Sequence, residues 1–235
     1  KDYRQPNIQA EPAFQKGWFE IQDEGSQMVA LLSGAKPGQN VLDYCAGGGG
    51  KTLALASHMG NKGQIHATDS DKARLAPIFE RLKRAETRNV QVHSAKSDLT
   101  SLESAMDLVL IDAPCTGAGT WRRRPDAKWR LSQSQLDQRV NEQASILEKA
   151  KAFVKPGGRI AYITCSVFEA ENAGQVRRFL GANADFKAID PKSLMLALLP
   201  ALPAEAVLLS PQGLTLTPLR TGTDGFFLSV LQRAA

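Results

Sequence analysis

Cysteine and histidine are scarce in this sequence, and their positions exclude several kinds of site. Only three cysteines occur among 235 residues, Cys45, Cys115 and Cys165, and no two of them form a C-x-x-C pair. An odd number of widely separated cysteines argues against a disulfide framework and against a zinc or dithiol motif. The three histidines also lack metal-ligand spacing. We therefore expect no bound metal and a reducing, cytoplasmic setting.

Long apolar runs are missing as well. No stretch of about 18 consecutive apolar residues is present, so the sequence predicts no transmembrane helix. The N-terminal residues KDYRQPNIQA are polar and lack the apolar segment of a secretory signal. We expect a monomer that has no membrane partner.

Basic residues outnumber acidic ones. The 29 lysines and arginines against 24 aspartates and glutamates give a net charge of +5. This balance favours polyanionic partners such as nucleic acid, although many basic proteins bind none. The hydrophobic content of 43% is enough for one sizeable core.

Short strand-like runs alternate with helical patterns along most of the chain. The strand-like runs cover 41–46, 64–69, 90–95, 107–114, 159–166, 214–219 and 225–232. The helical patterns cover the end of 17–32, then 51–59, 71–86 with a kink at Pro77, 135–154 and a segment near 170–180. This repetition predicts an α/β fold with a mostly parallel, doubly wound sheet and a C-terminal antiparallel strand. We expect a linker or small helical segment over 1–35 and the main domain over 36–235.

The glycine-rich loop DYCAGGGGKT (43–52) follows the first strand-like run and opens a helix. Glycines there let a ligand approach the backbone, and a helix N-terminus offers free N–H groups. The P-loop spacing fails because it needs glycine where Cys45 stands. The pattern G-x-G-x-x-G fails because Thr52 or Leu53 occupies its last position. The loop therefore favours a cofactor without phosphates.

Asp69 ends the second strand-like run, where an acid can accept hydrogen bonds from both hydroxyls of a ribose. The alternative is a helix N-cap ahead of Asp71 and Lys72. Because the glycine loop lies upstream, we favour the ribose role.

Two cysteine motifs end neighbouring strand-like runs. Asp112-Ala113-Pro114-Cys115 ends the fourth run, and Thr164-Cys165-Ser166 ends the fifth. Ligands of open α/β sheets bind outside the carboxyl ends of the strands, so we expect both thiols and Asp112 to meet the glycine loop in one crevice. The alternative is that each cysteine is a small buried hydrophobe, which is the commoner fate of a free cysteine.

These motifs resemble the Sun/Fmu-type family of RNA (cytosine-5) methyltransferases. The matching segments are WFEIQDEGSQ (18–27), DYCAGGGGKT (43–52), ATDSD (67–71), DAPCTGAGTWRRRPDAKW (112–129), KPGGRIAYITCS (155–166) and TDGFF (223–227). They span nearly the whole chain, and DAPC followed by TCS is a highly specific pair. The resemblance implies a Rossmann-like class I methyltransferase fold that uses S-adenosyl-L-methionine to modify RNA, with ribosomal RNA favoured over transfer RNA.

The resemblance also implies roles for individual residues. Cys165 would be the nucleophile, Cys115 would assist collapse of the covalent adduct, and Asp112 would contact the target base or the cofactor. The residues implied to hold S-adenosyl-L-methionine are Cys45, Ala46, Gly47, Gly48, Gly49, Gly50, Lys51, Asp69, Asp98 and Asp112. Two positions depart from the family pattern. The family usually carries proline where Gly48 stands, and Lys96 falls near the position of an expected acid, with Asp98 two residues on.

The implied chemistry needs these residue types. Carbon 5 of cytosine is a poor nucleophile, and addition of a thiolate to carbon 6 makes carbon 5 enamine-like. The thiol must be ionised, which nearby basic residues or helix N-termini would favour. Asp112 could hold a proton against ring nitrogen 3 as the adduct forms.

The segment WRRRPDAKWR (121–130) carries four arginines, one lysine and two tryptophans soon after the DAPC motif. Arg122, Arg123 and Lys128 are predicted to bind RNA phosphates, and the tryptophans can stack on unpaired bases. The alternative is a solvated loop with its tryptophans in the core and ion pairs such as one between Asp126 and an arginine.

Two other functions remain open at this stage. A catalytically idle RNA-binding or assembly factor could use the same fold, although retention of both thiols, Asp112 and the glycine loop argues against it. DNA is the lesser substrate, because the DNA enzymes that resemble this family use the Pro-Cys thiol as nucleophile, and the TCS motif favours RNA.

Overall fold

The computed structural model describes residues 7–235, so residues 1–6 of the expected N-terminal segment lie outside the described residues. The strands of this part are β1 (Asn40–Asp43), β2 (Gln64–Thr68), β3 (Val90–His93), β4 (Met106–Asp112), β5 (Val154–Thr164), β6 (Phe186–Ala188), β7 (Leu208–Ser210), β8 (Gly213–Leu216) and β9 (Phe226–Arg233).

Helices connect most of these strands. They are α1 (Pro12–Gln15), α2 (Glu24–Leu32), α3 (Gly50–His58), α4 (Lys72–Leu75), α5 (Ile78–Arg84), α6 (Ala127–Arg130), α7 (Gln133–Ala150), α8 (Ala173–Ala182), α9 (Pro191–Leu198) and α10 (Pro218–Thr221). Among the helices of residues 7–235, none combines the length and the apolar composition needed to cross a membrane.

The strands form one sheet in the order β3-β2-β1-β4-β5-β9-β8-β7, and β6 pairs with β9 beside this path. The five strands from β1 to β5 are parallel, whereas β9 runs antiparallel to β5 and β8 runs antiparallel to β9. This confirms the predicted class I, Rossmann-like α/β fold with a doubly wound sheet. The chain order reverses between β1 and β4, and the crevice of such folds opens at that point.

The antiparallel part of the sheet is larger than the single strand that was predicted. Besides β9 it contains β6, β7 and β8, and β6 and β7 were missed. Each of the missed strands is three residues long, too short to show a period-two pattern. The segment 193–209 contributes to α9 and β7.

Local sequence explains where the helices begin and break. The helical pattern over 71–86 divides at Pro77 into α4 and α5, as the predicted kink required. The side chain of Ser132 caps α7 by accepting from Gln135 N, and the Gln135 side chain accepts from Ser132 N in return.

Both faces of the sheet are covered by helices. Val41 and Leu108 point to one face, where they share a core with Val29 and Leu32 of α2 and with residues of α3. The alternate strand positions, such as Leu42, lie on the other face with residues of α7 and α8. Helix α2 is therefore packed on the sheet. The carboxyl ends of β1, β4 and β5 are not covered by it, and this end of the strands is called the open edge below.

Candidate active site

The glycine loop between β1 and α3 bends through two left-handed residues. Gly47 has φ 49° and Gly49 has φ 81°, and Gly49 is the N-cap of α3. The amide of Gly47 donates to Asp69 Oδ2 at 2.9 Å, which ties the loop to the end of β2. The first turn of α3 thereby presents its free N–H groups to the crevice.

A cavity of about 410 Å³ lies against this loop. Its lining is Gln22, Ser26, Cys45, Ala46, Gly47, Gly48, Gly50, Lys51, Arg74, Pro77 and Asp112. Seven of the predicted cofactor residues are therefore brought together, and the volume lies in the range of small-molecule sites. Gln22, Ser26, Arg74 and Pro77 were not predicted to line the cavity, because only folding brings the segment around the start of α2 and the break between α4 and α5 against the loop.

Asp69 lies behind the loop rather than in the cavity wall. It is 2% exposed, and its Oδ1 accepts from the amide of Asp71 at 2.8 Å. The side chain that caps α4 is that of Asp71, which accepts from Ala73 N and Arg74 N. The helix-cap alternative for Asp69 is thus wrong, and its role toward a ribose stays a prediction.

Asp98 is not brought to the cavity. It is an exposed residue whose Oδ1 accepts from Thr100 N at 2.9 Å, at the start of a short 3₁₀ turn over Thr100–Leu102. The Asp98 carboxylate therefore stabilises the turn that follows it. It does not line the cavity, so the structure offers no support for its predicted contact with the cofactor.

Replacing Gly49 by alanine should destabilise the loop far more than replacing Gly48. A Cβ on Gly49 would lie 2.4 Å from Ile78 Cγ1, and alanine would also have to keep φ at 81°. We expect a loss of about 2–4 kcal/mol in the free energy of unfolding, measured in urea, with weaker S-adenosyl-L-methionine binding in calorimetry. The control is Gly48→Ala, whose Cβ meets nothing closer than 3.5 Å. Equal stability of the two variants would contradict this account of the loop.

A partly buried ion pair joins the glycine loop to β4. Lys51 Nζ donates to Asp112 Oδ2 at 2.7 Å, and the Lys51 side chain is 7% exposed. The same ammonium lies 5.2 Å from the centre of the Phe226 ring. The pair sets an N–H donor beside a carboxylate acceptor at the open edge of the sheet.

Asp43 is fully buried next to this pair, and Cys45 is half-buried in the cavity wall. Burial raises the pKa of Asp43 to about 7, although Thr52 Oγ1 donates to its Oδ2 at 2.7 Å. Burial, together with the nearby Asp43 and Asp112, also raises the pKa of Cys45 well above the usual thiol value. Cys45 is therefore a wall of the cavity and a poor nucleophile.

The two remaining thiols face each other at the ends of β4 and β5. Cys115 Sγ lies 3.3 Å from Cys165 Sγ. Accepting the hydrogen bond from Cys115 lowers the pKa of Cys165, and the Lys51 ammonium acts in the same direction against burial and Asp112. Donating that hydrogen bond and being buried raise the pKa of Cys115 well above its usual value. Of the pair, Cys165 is the thiol prepared to ionise.

The arginine-rich segment is partly structural. Arg123 Nε donates to Asp224 Oδ2 at 2.8 Å, and Asp224, from the TDGFF segment, is fully buried. Trp121 packs edge-on against Phe168, with ring centres 5.8 Å apart. Arg123 and Trp121 therefore hold the segment against the core. For these two residues the structure agrees with the alternative interpretation, in which tryptophans pack in the core and arginines form ion pairs.

The outer residues of the same segment remain available to a partner. Trp129 is 81% exposed and has Lys128 Nζ 5.1 Å from its ring centre. Arg122 is about half exposed and lies 3.6 Å from the buried Asp224, while Arg130 pairs with Asp126 at 2.6 Å. The prediction that Arg122, Arg123 and Lys128 bind RNA stays a prediction. Between residues 7 and 235, no three His, Cys, Asp or Glu side chains are grouped to hold a metal.

The chain matches a family model described as 16S rRNA methyltransferase RsmB/F over residues 30–232. It is 32% identical to a probable ribosomal RNA small subunit methyltransferase B from Synechocystis over 95% of this chain and 49% of that protein. It is 35% identical to the ribosomal RNA small subunit methyltransferase B of Cronobacter sakazakii over 76% of this chain and 42% of that protein. The chain thus spans about half the length of these curated relatives.

A solved structure shares the whole architecture. The crystal structure of NSun6 from Pyrococcus horikoshii with SFG superposes with a TM-score of 0.81 at 25% sequence identity. The match covers 98% of this chain and 57% of that one.

Proposed function

The chain belongs to the RsmB/F family of 16S rRNA methyltransferases, and from that membership we propose that it transfers a methyl group from S-adenosyl-L-methionine to carbon 5 of a cytosine in RNA. The observation that carries the proposal is the pair of thiols 3.3 Å apart, with the pKa of Cys165 lowered and that of Cys115 raised. The proposal gives the two thiols different tasks, addition by Cys165 and assistance at elimination by Cys115, and their pKa values are shifted in the directions that suit these tasks.

The cavity fits the proposed cofactor. Its wall is a glycine loop without phosphate-binding spacing, and the first turn of α3 and the carboxylate of Asp112 line it. When bound there, S-adenosyl-L-methionine would supply an electrophilic methyl group. The loop from Cys45 to Lys51 would hold it, and Asp69 would support the loop through its bond to Gly47.

Cys165 begins the reaction in this proposal. Its thiolate adds to carbon 6 of cytosine, forming an S–C bond while the electron pair of the 5,6 double bond moves toward carbon 5, which then takes the methyl group. A base then takes the proton from carbon 5, the electron pair of that C–H bond re-forms the 5,6 double bond, and the S–C bond breaks, which releases the Cys165 thiolate. Cys115, which keeps its proton until that stage, would assist the collapse.

The Lys51–Asp112 pair matches the edge of the target base. Cytosine presents an acceptor at ring nitrogen 3 beside a donor at its amino group. Lys51 offers N–H donors, and Asp112 offers carboxylate oxygens that lie next to them. Asp112 would hold a proton against ring nitrogen 3, which would relieve charge as the adduct forms.

Small-subunit ribosomal RNA is the proposed substrate, because the curated relatives are named for it. Transfer RNA is the alternative substrate, and an idle assembly factor is the alternative function. The test incubates the protein with S-adenosyl-L-methionine and either a small-subunit rRNA transcript or a tRNA pool, and maps protected cytosines by bisulfite sequencing. We expect cofactor binding in calorimetry and protected cytosines in the rRNA. Binding without any methylation, or no binding at all, would favour the idle factor.

Arg122 and Lys128 should contribute to RNA affinity through their charge. Each replacement by alanine is expected to lower the magnitude of the salt slope of binding by about one unit or less, because one phosphate contact is lost. Salt titrations of RNA binding measure this. Lys187→Ala is the matched control, since Lys187 is an exposed lysine on β6, away from the open edge. Unchanged slopes in both test variants would exclude the segment as an RNA contact.

Arg123 is excluded from that comparison because its loss would leave the buried Asp224 without its closest cation. A weaker binding of Arg123→Ala would therefore mix a charge effect with a packing effect.

A further inference from the structure

The loops that carry the two thiols are both tied to one buried dipeptide, Glu171-Asn172, which follows β5. Glu171 is fully buried and Asn172 is 4% exposed. Neither residue lines the cofactor cavity, and neither was singled out by sequence reasoning. Their hydrogen bonds run to different loops.

Glu171 holds the loop of Cys115. Its Oε1 accepts from the amide of Thr116 at 2.9 Å, and its Oε2 accepts from the Thr116 hydroxyl at 2.6 Å. Gln143 of α7 supports the arrangement by donating its amide both to Glu171 Oε1 at 2.9 Å and to Pro114 O at 3.0 Å. The residues on both sides of Cys115 are thereby fixed.

Asn172 holds the turn of Cys165 in the same manner. Its Oδ1 accepts from Thr164 Oγ1 at 2.5 Å, and its Nδ2 donates to Ser166 O at 2.9 Å. Thr164 and Ser166, the neighbours of Cys165, are both completely buried. The turn around the second thiol is thus as closely held as the first.

The buried carboxylate of Glu171 needs an explanation beyond stability. No salt bridge joins it to a cation within residues 7–235, and burying a charge is costly unless hydrogen bonds compensate it. Apolar packing often stabilises a core as well as buried charge does. The Glu171 carboxylate adds hydrogen bonds that join the segment after β5, where Glu171 lies, to the loop after β4, where Thr116 lies.

We propose that Glu171 and Asn172 are positioning residues that hold the sulfur atoms of Cys115 and Cys165 in contact. Glu171 acts on Cys115 through Thr116, and Asn172 acts on Cys165 through Thr164 and Ser166. The consequences for the methylation reaction rest on the proposed function, whereas the placement of the two sulfurs does not.

The first test measures the sulfur contact without any RNA. With oxidised glutathione, the Cys165 thiolate attacks one glutathione sulfur and releases a reduced glutathione. Cys115 then attacks the mixed disulfide and releases the second, which leaves a Cys115–Cys165 disulfide. We call the formation of this disulfide closure, and its rate is measured by alkylating the remaining thiols at timed intervals and weighing the protein by mass spectrometry. We expect Glu171→Ala and Asn172→Ala to slow it by about tenfold to a hundredfold.

Two control variants separate positioning from a general loss of stability. In Glu171→Gln the carbonyl oxygen can accept from the Thr116 amide while the new amide donates to the Thr116 hydroxyl, so near-normal closure is expected. Asn183 is a buried amide at the end of α8 whose partners, Glu148, Lys151 and Phe179, lie away from the thiols. Asn183→Ala should therefore destabilise the protein and leave closure unchanged.

Milder substitutions serve if an alanine variant fails to fold. Thr116→Val removes the hydroxyl that donates to Glu171, and Asn172→Asp keeps the acceptor of the Thr164 hydroxyl while it replaces the donor to Ser166 O by a carboxylate oxygen. Both should slow closure by a smaller factor. Closure at the wild-type rate in every folded variant of Glu171, Thr116 and Asn172 would overturn the proposal.

A second test uses the reaction itself. With small-subunit rRNA, Glu171→Ala should accumulate a covalent protein–RNA adduct, because Cys115 no longer assists release. On rRNA that contains 5-fluorocytosine, which holds the wild-type protein as a covalent adduct, Asn172→Ala should form less adduct than wild type, because Cys165 is misplaced for attack. If closure slows as expected but no protein, wild type included, forms an RNA adduct, the proposed function fails and the positioning role stands.

Discussion

Cys165→Ala is expected to abolish both methyl transfer and covalent trapping on RNA that contains 5-fluorocytosine. In the proposed reaction the thiolate of Cys165 forms the first bond, so no later step can begin without it. The fluorine cannot leave as a proton does, and the wild-type protein should therefore stay attached to such RNA. We expect the methylation rate to fall by about four orders of magnitude or more, with no adduct on a denaturing gel.

The geometry gives a reason why the neighbouring thiol cannot replace it. The pKa of Cys115 is raised by the hydrogen bond that it donates to Cys165 and by burial, so little of it is thiolate near neutral pH. Cys115→Ala is the matched control, since it removes the other sulfur of the same pair. An adduct that persists in Cys165→Ala and disappears in Cys115→Ala would reverse the assignment and indicate the mechanism of the DNA enzymes.

Cys115→Ala is expected to attack and methylate RNA but to remain attached to the product. In the proposed reaction attack precedes methyl transfer and elimination follows it, so losing Cys115, the thiol proposed to assist elimination, should stall the last step. On RNA that contains no 5-fluorocytosine, a denaturant-resistant protein–RNA complex should therefore accumulate with Cys115→Ala and be absent with wild type. Rapid turnover without any accumulated complex would show that Cys115 has no part in release.

The same variant should change the pH dependence of adduct formation. The hydrogen bond from Cys115 is the largest effect that lowers the pKa of Cys165, so its removal raises that pKa. The thiolate fraction near neutral pH then falls, and attack becomes slower there and recovers as the pH rises. An unchanged pH profile of single-turnover trapping would contradict the hydrogen bond as the cause of the shift.

Much of the fold and of the cavity lining could be predicted from the sequence, because both depend on short-range pattern. Strand ends followed by DYCAGGGGKT, DAPC and TCS must meet at one edge of a parallel sheet, and the cavity lining and the 3.3 Å thiol contact agree with that expectation. Pro77 marks a helix break in any context, and the break between α4 and α5 follows it.

What could not be predicted depends on contacts between distant segments. Arg123 and Asp224 are 101 positions apart, so their ion pair could not be separated from a free RNA-binding arginine. Glu171 has the sequence context of an exposed acid near a helix start, and only the approach of Thr116 and Gln143 gives it a buried role. The local bonds of Asp98 with Thr100 likewise compete with any distant ligand.

The most direct test of the account is peptide mass spectrometry of the adduct trapped between the wild-type protein and small-subunit rRNA that contains 5-fluorocytosine. After digestion of protein and RNA, the account predicts a methylated fluorocytidine attached to the peptide that carries Cys165, with Cys115 unmodified. Attachment at Cys115, or no attachment under conditions where cytosine is methylated, would contradict the central claim that Cys165 is the nucleophile.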